Sequence, residues 1–224
     1  MTASVSYVVS DLHLGDRHFC HTQFLAWLDG LPGEAALILN GDIVDNPGQR
    51  LCAEHDSVLR RLVAESHSRP VVWVRGNHDR DFQLPDPGGI RFENQWEIGR
   101  QLLVVHGHDL DAVMPRHRLF KGLFRLFHRA LVFAGLPDVH VARFAKKWGF
   151  LYGVLNDHVA EKAIRRAASS GHRAVTCGHT HAAMEVQREG RRYLNTGSWT
   201  EEPLHFLSVV GERIALEVFP GATR

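Results

Sequence analysis

The sequence predicts an α/β protein, and three observations predict it. Short runs of β-branched and aliphatic residues recur along the 224-residue chain, each about as long as a strand buried on both faces. Helical patterns separate the first of these runs, the alternation from which α/β domains are built. The runs also stop abruptly at clusters of Asp, Asn, His and Gly.

In chain order, "SYVVSD" reads as a strand ending at Asp11. "FLAWLDG" is a helix closed by a glycine stop. "AALILNGD" is a strand ending at Asp42, and Gly41 lets the backbone turn tightly there. "CAEHDSVLRRLVAESH" carries Val58, Leu59, Leu62 and Val63 at helical spacing. "VVWVRGNHD" is a strand stopping at Asn77, and "QLLVVHGHD" one stopping at His106. Three helical stretches follow. They are "HRLFKGLFRLFHRALVF", then "HVARFAKKWGFLYGVL" after a break at Leu136 and Pro137, then "DHVAEKAIRRAASSG". "AVTCGHTH" is a strand running to His179. "AAMEVQREGRRYLNTGSW", "LHFLSVVG" and "RIALEVFPG" look like a series of antiparallel strands with glycine-containing turns. No internal repeat or low-complexity segment interrupts the chain.

Composition narrows the function. Hydrophobic residues at 44% and charged residues at 23% are ordinary for a soluble globular protein. A formal net charge of +1 makes nucleic acid a poor partner for the chain as a whole. Cys20, Cys52 and Cys177 are odd in number and widely spaced, as reduced thiols of a cytoplasmic protein are. The N-terminus has no basic region followed by a long apolar stretch, so no signal peptide is expected. No run approaches the roughly 18 apolar residues of a membrane span. The abnormal number is 16 histidines, many beside Gly, Asp or Asn. Imidazole is the commonest metal ligand and a proton-transfer group near neutral pH.

In open α/β sheets, ligands sit beyond the carboxyl ends of the strands. The residues collected there are Asp11, His13, Asp42, Asn77, His78, His106, His179 and His181. The D-x-H spacing puts Asp11 and His13 on one side of an extended chain, and the H-x-H spacing does the same for His179 and His181. Two divalent ions roughly 3.5–4 Å apart need a bridging carboxylate and several terminal ligands. Asp42 suits the bridge, and Asn77 adds a neutral oxygen. Mixed oxygen and imidazole ligation suits Mn²⁺, Fe²⁺ or Zn²⁺ better than Mg²⁺ alone, and without a thiolate it does not describe a structural zinc site. Asp45 either hydrogen-bonds a ligand from behind or caps a helix. His55, His67, His140 and His172 read as ordinary structural or surface residues.

Five blocks in order, "SDLHLG", "GDIVD", "GNHD", "HGHD" and "GHTH", resemble the calcineurin-like metallophosphoesterase superfamily. The resemblance implies a four-layer αββα sandwich. It implies one ion held by Asp11, His13, Asp42 and His181, and a second by Asp42, Asn77, His106 and His179, with Mn²⁺ favoured. His78 would face the phosphate, and Asp79 would keep that imidazole protonated and in place, the alternative for Asp79 and Arg80 being that either only braces the loop by a salt bridge. The implied reaction is hydrolysis of a phosphate ester by hydroxide generated on the ion pair, with His78 and the ions stabilising charge on the phosphoryl oxygens.

Between "HGHD" and "GHTH" lies a segment of different character. From Arg116 to Lys147 there are eight Lys/Arg against one acid, Asp138, a net +7. Arg118, Lys121, Arg125 and Arg129 fall on one helical face, with Leu119, Phe120, Leu123, Phe124, Phe127 and Leu131 opposite. Such a segment either packs its apolar face on the core or forms a lid for acyl chains and anionic groups, resting on an acidic membrane surface. The expected division is a core of residues 1–110 and 171–224 with a helical cap inserted at 111–170. This arrangement is similar to the UDP-2,3-diacylglucosamine hydrolases of lipid A biosynthesis. Their best-known branch has Arg at the place of His78, whereas another branch keeps His and a basic, aromatic insertion. The resemblance implies a nucleotide-linked pyrophosphate lipid as substrate, at the cytoplasmic face of the inner membrane. Arg80, His108, Asp109, Arg116 and Arg118 are candidate contacts to phosphate or head group. Two alternatives use the same centre. One is a phosphodiesterase or phosphomonoesterase acting on a small soluble substrate. The other is a metal-dependent nuclease with the basic segment as its track.

Overall fold

The computed structural model describes residues 5–111 and 149–221. In chain order the elements are β1 (Val5–Val9), α1 (His21–Asp29), β2 (Ala36–Asn40), α2 (Ala53–Glu65), β3 (Val71–Val74), β4 (Arg91–Glu93), β5 (Trp96–Ile98) and β6 (Leu102–Val104). They continue with α3 (Gly149–Ser169), β7 (Ala174–Cys177), β8 (Met184–Arg188), β9 (Arg191–Asn195), β10 (His205–Val210) and β11 (Arg213–Val218). They form a six-stranded sheet ordered β11-β10-β1-β2-β3-β4 and a five-stranded sheet ordered β5-β6-β7-β9-β8.

Strand periodicity explains the layering. Side chains alternate faces along a strand, so each apolar run feeds two cores. Val9, Leu37, Leu39, Val71 and Trp73 face outward from the first sheet onto Phe24, Trp27 and Leu28 of α1 and Val58, Leu59 and Leu62 of α2. Their neighbours Val8, Ile38, Val72 and Val74 face inward. They meet Leu102, Val104, Ala174 and Leu194 of the second sheet. On that sheet's far side, Leu103, Val105, Val175, Cys177 and Tyr193 pack on Ala160, Ala163, Ile164 and Ala167 of α3. Helix, sheet, sheet and helix therefore stack as an αββα sandwich, with the residues of β3, β6 and β7 buried on both faces.

Two local expectations change. The stretches "GFLYGVL" and "DHVAEKAIRRAAS" belong to one helix, α3, which continues across Asn156. No Gly or Pro interrupts the join, and the Asn156 amide donates to the Tyr152 carbonyl at 2.9 Å within the same helix. The C-terminal strands do pair as antiparallel hairpins, β8 with β9 and β10 with β11, but the hairpins enter different sheets. β9 also runs parallel to β7. A local pattern reports a hairpin but not which sheet edge receives it. The helix expected over "HRLFKGLFRLFHRALVF", and the start of the next one, lie outside the described residues. No described helix is long and apolar enough to cross a membrane.

Candidate metal centre

The loops after the parallel strands run side by side at one end of the sandwich. After β1, Asp11 N–H donates to Gly41 O at 3.0 Å, His13 N–H to Asp42 O at 3.0 Å and Leu14 N–H to Ile43 O at 2.7 Å. Leu12, Leu14 and Ile43 are fully buried in the outer core and anchor both loops. Their polar neighbours Asp11, His13 and Asp42 turn the other way. From the second sheet, β6 runs to His106, and β7 runs to His179 and His181.

The backbone there is strained. Asp11, His13, Asp42, His179 and His181 all have φ between +52° and +65°. Non-glycine residues rarely adopt this left-handed region, which costs about 1–3 kcal/mol each and persists only where the surroundings enforce it. The only other non-glycine residue in that region among the described residues is Glu189, in the β8–β9 turn. Backbone strain thus coincides with five of the seven expected ligands. Two glycines make room for the carboxylates. A Cβ on Gly76 would stand 2.1 Å from Asp42 Oδ1, and one on Gly178 would stand 2.2 Å from Asp11 Oδ2.

The ligand atoms of Asp11, His13 and His181 lie within 4.8 Å of one another, and so do those of Asp42, His106 and His179. Asn77 Oδ1 is 2.9 Å from His179 Nδ1 and joins the second group. His13 Nε2 and His181 Nε2 face each other at 3.1 Å, and His181 Nε2 is 3.3 Å from Asp11 Oδ1. All seven expected ligands are therefore brought together, and each group draws on both sheets.

Chemically the set fits divalent cations. Three rings have an outer acceptor on one nitrogen. His13 Nδ1 is 3.0 Å from Asp45 Oδ1, His106 Nδ1 is 2.8 Å from Asn40 O, and His179 Nε2 is 2.9 Å from Asp111 Oδ2. A neutral ring that gives its proton outward turns a lone pair inward. His106 Nε2 makes no hydrogen bond, although Asp42 Oδ2 is 3.2 Å away. Inward-facing lone pairs and carboxylate oxygens crowd together and call for positive charge. Burial works against charge on His106, yet the Asp42 and Asp11 carboxylates push its pKa up to about 10.

His78 stands beside this centre, not in it. Its backbone N–H donates to Asp42 Oδ1 at 2.8 Å. Its Nδ1 is 2.7 Å from the Asp45 carbonyl oxygen and 3.2 Å from Asp45 Oδ1. Burial opposes a proton on the ring, but the Asp45 and Asp42 carboxylates outweigh it and push the pKa up to about 9. The bond to His13, and then that to His78, holds the Asp45 carboxyl well below the usual range. The expectation that Asp79 orients His78 is corrected. Asp79 is fully buried and accepts from Ile43 N–H, the Trp73 indole and Gly76 N–H at 2.8, 2.9 and 2.6 Å. It braces the loop, and Asp45 holds the ring. Asp45→Ala should therefore cut turnover about 10–100-fold, the usual cost of losing an outer partner of a metal site, with a small change in Tm. Asp79→Ala should instead lower Tm clearly, because stranding each buried donor costs about 1–3 kcal/mol. Kinetics on bis-p-nitrophenyl phosphate and thermal denaturation separate the two.

The expected substrate contacts are placed in part. Arg80 Nη2 donates to His108 Nε2 at 2.9 Å, and Asp109 Oδ1 lies 3.2 Å from the same nitrogen and 3.7 Å from Arg80. They form a cluster next to His106, whose ring centroid is 5.5 Å from that of His108. Arg116 and Arg118 lie outside the described residues. Sequence reasoning missed Asp111, which sits two residues past "HGHD" and is buried against His179. It also missed the "NTGSW" stretch, where Ser198 Oγ and Trp199 N–H donate to Asp11 O at 3.0 and 3.1 Å.

Two packed sheets with carboxylates and imidazoles at the strand ends form a candidate metal centre, and the family match makes the chain a metal-dependent phosphoesterase. The chain belongs to the calcineurin-like phosphoesterase family, whose model matches residues 6–183. Among solved structures it is similar to Vacuolar Protein Sorting 29 from Cryptosporidium parvum, at 13% identity and a TM-score of 0.52, covering 97% of each chain. A mutant cold-active protein tyrosine phosphatase has a TM-score of 0.50 at 12% identity, covering 97% of this chain and 80% of that one. Yfce, a phosphoesterase from E. coli, is 17% identical with a TM-score of 0.46, covering 96% of this chain and 99% of that one. At these identities the likeness to the first two is one of fold. No curated protein matches the chain.

Proposed function

We propose that the protein is a dinuclear-metal phosphoesterase whose substrate is a UDP-2,3-diacylglucosamine-type pyrophosphate lipid. The observation that carries the metal reading is the convergence of seven side chains from both sheets, five of them on left-handed backbone. Asp11, His13, Asp42 and His181 would hold one ion, and Asp42, Asn77, His106 and His179 the other, with Mn²⁺ favoured by the mixed ligands. When bound, such a pair supplies Lewis-acid charge and a water of low pKa at neutral pH. The chain's own groups do the rest. His78, held by Asp45 and one-third exposed, donates to a non-bridging phosphoryl oxygen or protonates the leaving oxygen. Arg80 and His108, clustered beside His106, are the proposed contacts for anionic groups.

The substrate reading rests on the inserted segment. Its net +7 and its Phe-rich face suit phosphates and acyl chains together. Both of its flanks touch the loop carrying His179 and His181. Asp111 bonds His179, and the Tyr152 hydroxyl donates to Thr180 O. A cap within 111–170 is the proposed lipid-binding element, acting at the inner membrane face where such a lipid is found. The purified full chain with Mn²⁺ should hydrolyse UDP-2,3-diacylglucosamine faster than bis-p-nitrophenyl phosphate or p-nitrophenyl phosphate, and a chelator should stop all three. Polar replacements of Phe120, Phe124 and Phe127 should depress lipid turnover far more than that of the p-nitrophenyl esters. Diester turnover with no lipid turnover would favour a small soluble substrate. Nucleic-acid cleavage falling steeply with salt would favour a nuclease.

A further inference from the structure

We infer that Asp111 is a positioning residue for the second ion site, keeping His179 in the tautomer that leaves its Nδ1 open to a cation. The inference rests on the two-ion reading above. Asp111 is 3% exposed, and its Oδ2 lies 2.9 Å from His179 Nε2. An ionised carboxylate only accepts hydrogen bonds, so it draws the ring proton to Nε2. Nδ1 then presents a lone pair beside Asn77 Oδ1, 2.9 Å away. The other tautomer would be self-quenching. Nδ1–H would donate to Asn77 Oδ1, and one internal hydrogen bond would occupy two expected ligand atoms at once. Asp111 works against that bond from the far side of the ring.

The placement gives the contact a second meaning. Asp111 lies five residues before the basic segment that begins at Arg116, and a Leu110 N–H to Gly107 O bond of 3.0 Å ties it into the turn after β6. On the returning side, the Tyr152 hydroxyl grips the neighbouring Thr180 carbonyl. The metal loop between Gly178 and His181 is thus held by both flanks of the insertion.

The test uses the full chain and Mn²⁺ alone. Calorimetric titration of the wild type should show two ions, and its EPR spectrum a spin-coupled pair. Asp111→Ala should keep one ion at wild-type affinity and bind the other about 10–100-fold more weakly, replacing the coupled signal by that of an isolated ion. Asp111→Asn, whose amide oxygen still accepts from Nε2–H, should restore most of the loss. An alanine variant that binds both ions as the wild type does would overturn the inference, and so would an asparagine variant as weak as alanine. A further measurement needs no variant. In the Zn²⁺-loaded wild type, the ¹⁵N spectrum of His179 should place the proton on Nε2, and a proton on Nδ1 would refute the idea. A wild type that binds no Mn²⁺ would instead sink the two-ion reading itself.

Discussion

Asp42→Asn should lower phosphoesterase turnover by about three orders of magnitude and reduce bound Mn²⁺ from two ions per chain to one or fewer. Asp42 is the residue both expected sites share. It is 1% exposed, its Oδ1 accepts from His78 N–H, and its Oδ2 faces His106 Nε2 at 3.2 Å. The amide keeps the shape but puts an NH₂ group, which donates and repels a cation, where one carboxylate oxygen stood. Lewis-acid stabilisation is worth several kcal/mol, and each ~1.4 kcal/mol is tenfold in rate, so losing about 4 kcal/mol gives the stated drop. Kinetics on bis-p-nitrophenyl phosphate with metal analysis of the same sample measures both effects. Wild-type turnover with two bound ions would remove Asp42 from the bridging role.

Gly76→Ala should damage the centre without replacing any ligand. The added methyl would lie 2.1 Å from Asp42 Oδ1 and 2.3 Å from Asp42 N. A flexible side-chain tip could swing aside, but a backbone nitrogen cannot. That nitrogen belongs to a residue already at φ +52°. Overpacking of this kind costs about 1–3 kcal/mol, occasionally more. The expected outcome is a lower Tm together with weakened Mn²⁺ binding, followed by thermal denaturation with and without the metal. Unchanged values for both would mean that the loops after β2 and β3 are not packed as tightly as described.

Sequence made much of this legible because the site lies where strands end. Apolar runs such as "AALILN" and "VVWV" mark the strands, and the converging residues follow within a few positions of their ends. What stayed hidden has physical reasons. β4 and β5 are three residues long and carry Arg91, Glu93 and Glu97, so they show no apolar run. They exist because a neighbouring strand supplies their hydrogen bonds. The partner of His78 was misread because the resemblance put that role on Asp79, whereas the ring turns toward Asp45, 33 positions back. Asp111 carries no signal of its own. A lone acid past a histidine block becomes meaningful only when the His179 loop, 68 positions later, closes on it. The left-handed ligand residues were equally invisible, since Asp and His in a sequence do not declare φ.

The hydrocarbon layer between the sheets has one more consequence. Asp11, His13, Asp42 and Asn77 ride on one sheet, while His106, His179 and His181 ride on the other. Val8, Ile38, Val72, Val74, Leu102, Val104, Ala174 and Leu194 fill the seam. The thickness of that greasy filling acts as a gauge block, fixing how far one half of the coordination shell stands from its complement. Shaving a methyl from a residue such as Val72, which has no polar atom to offer, reaches the chemistry as surely as editing a histidine, by letting the jaws of the vice settle at a new width.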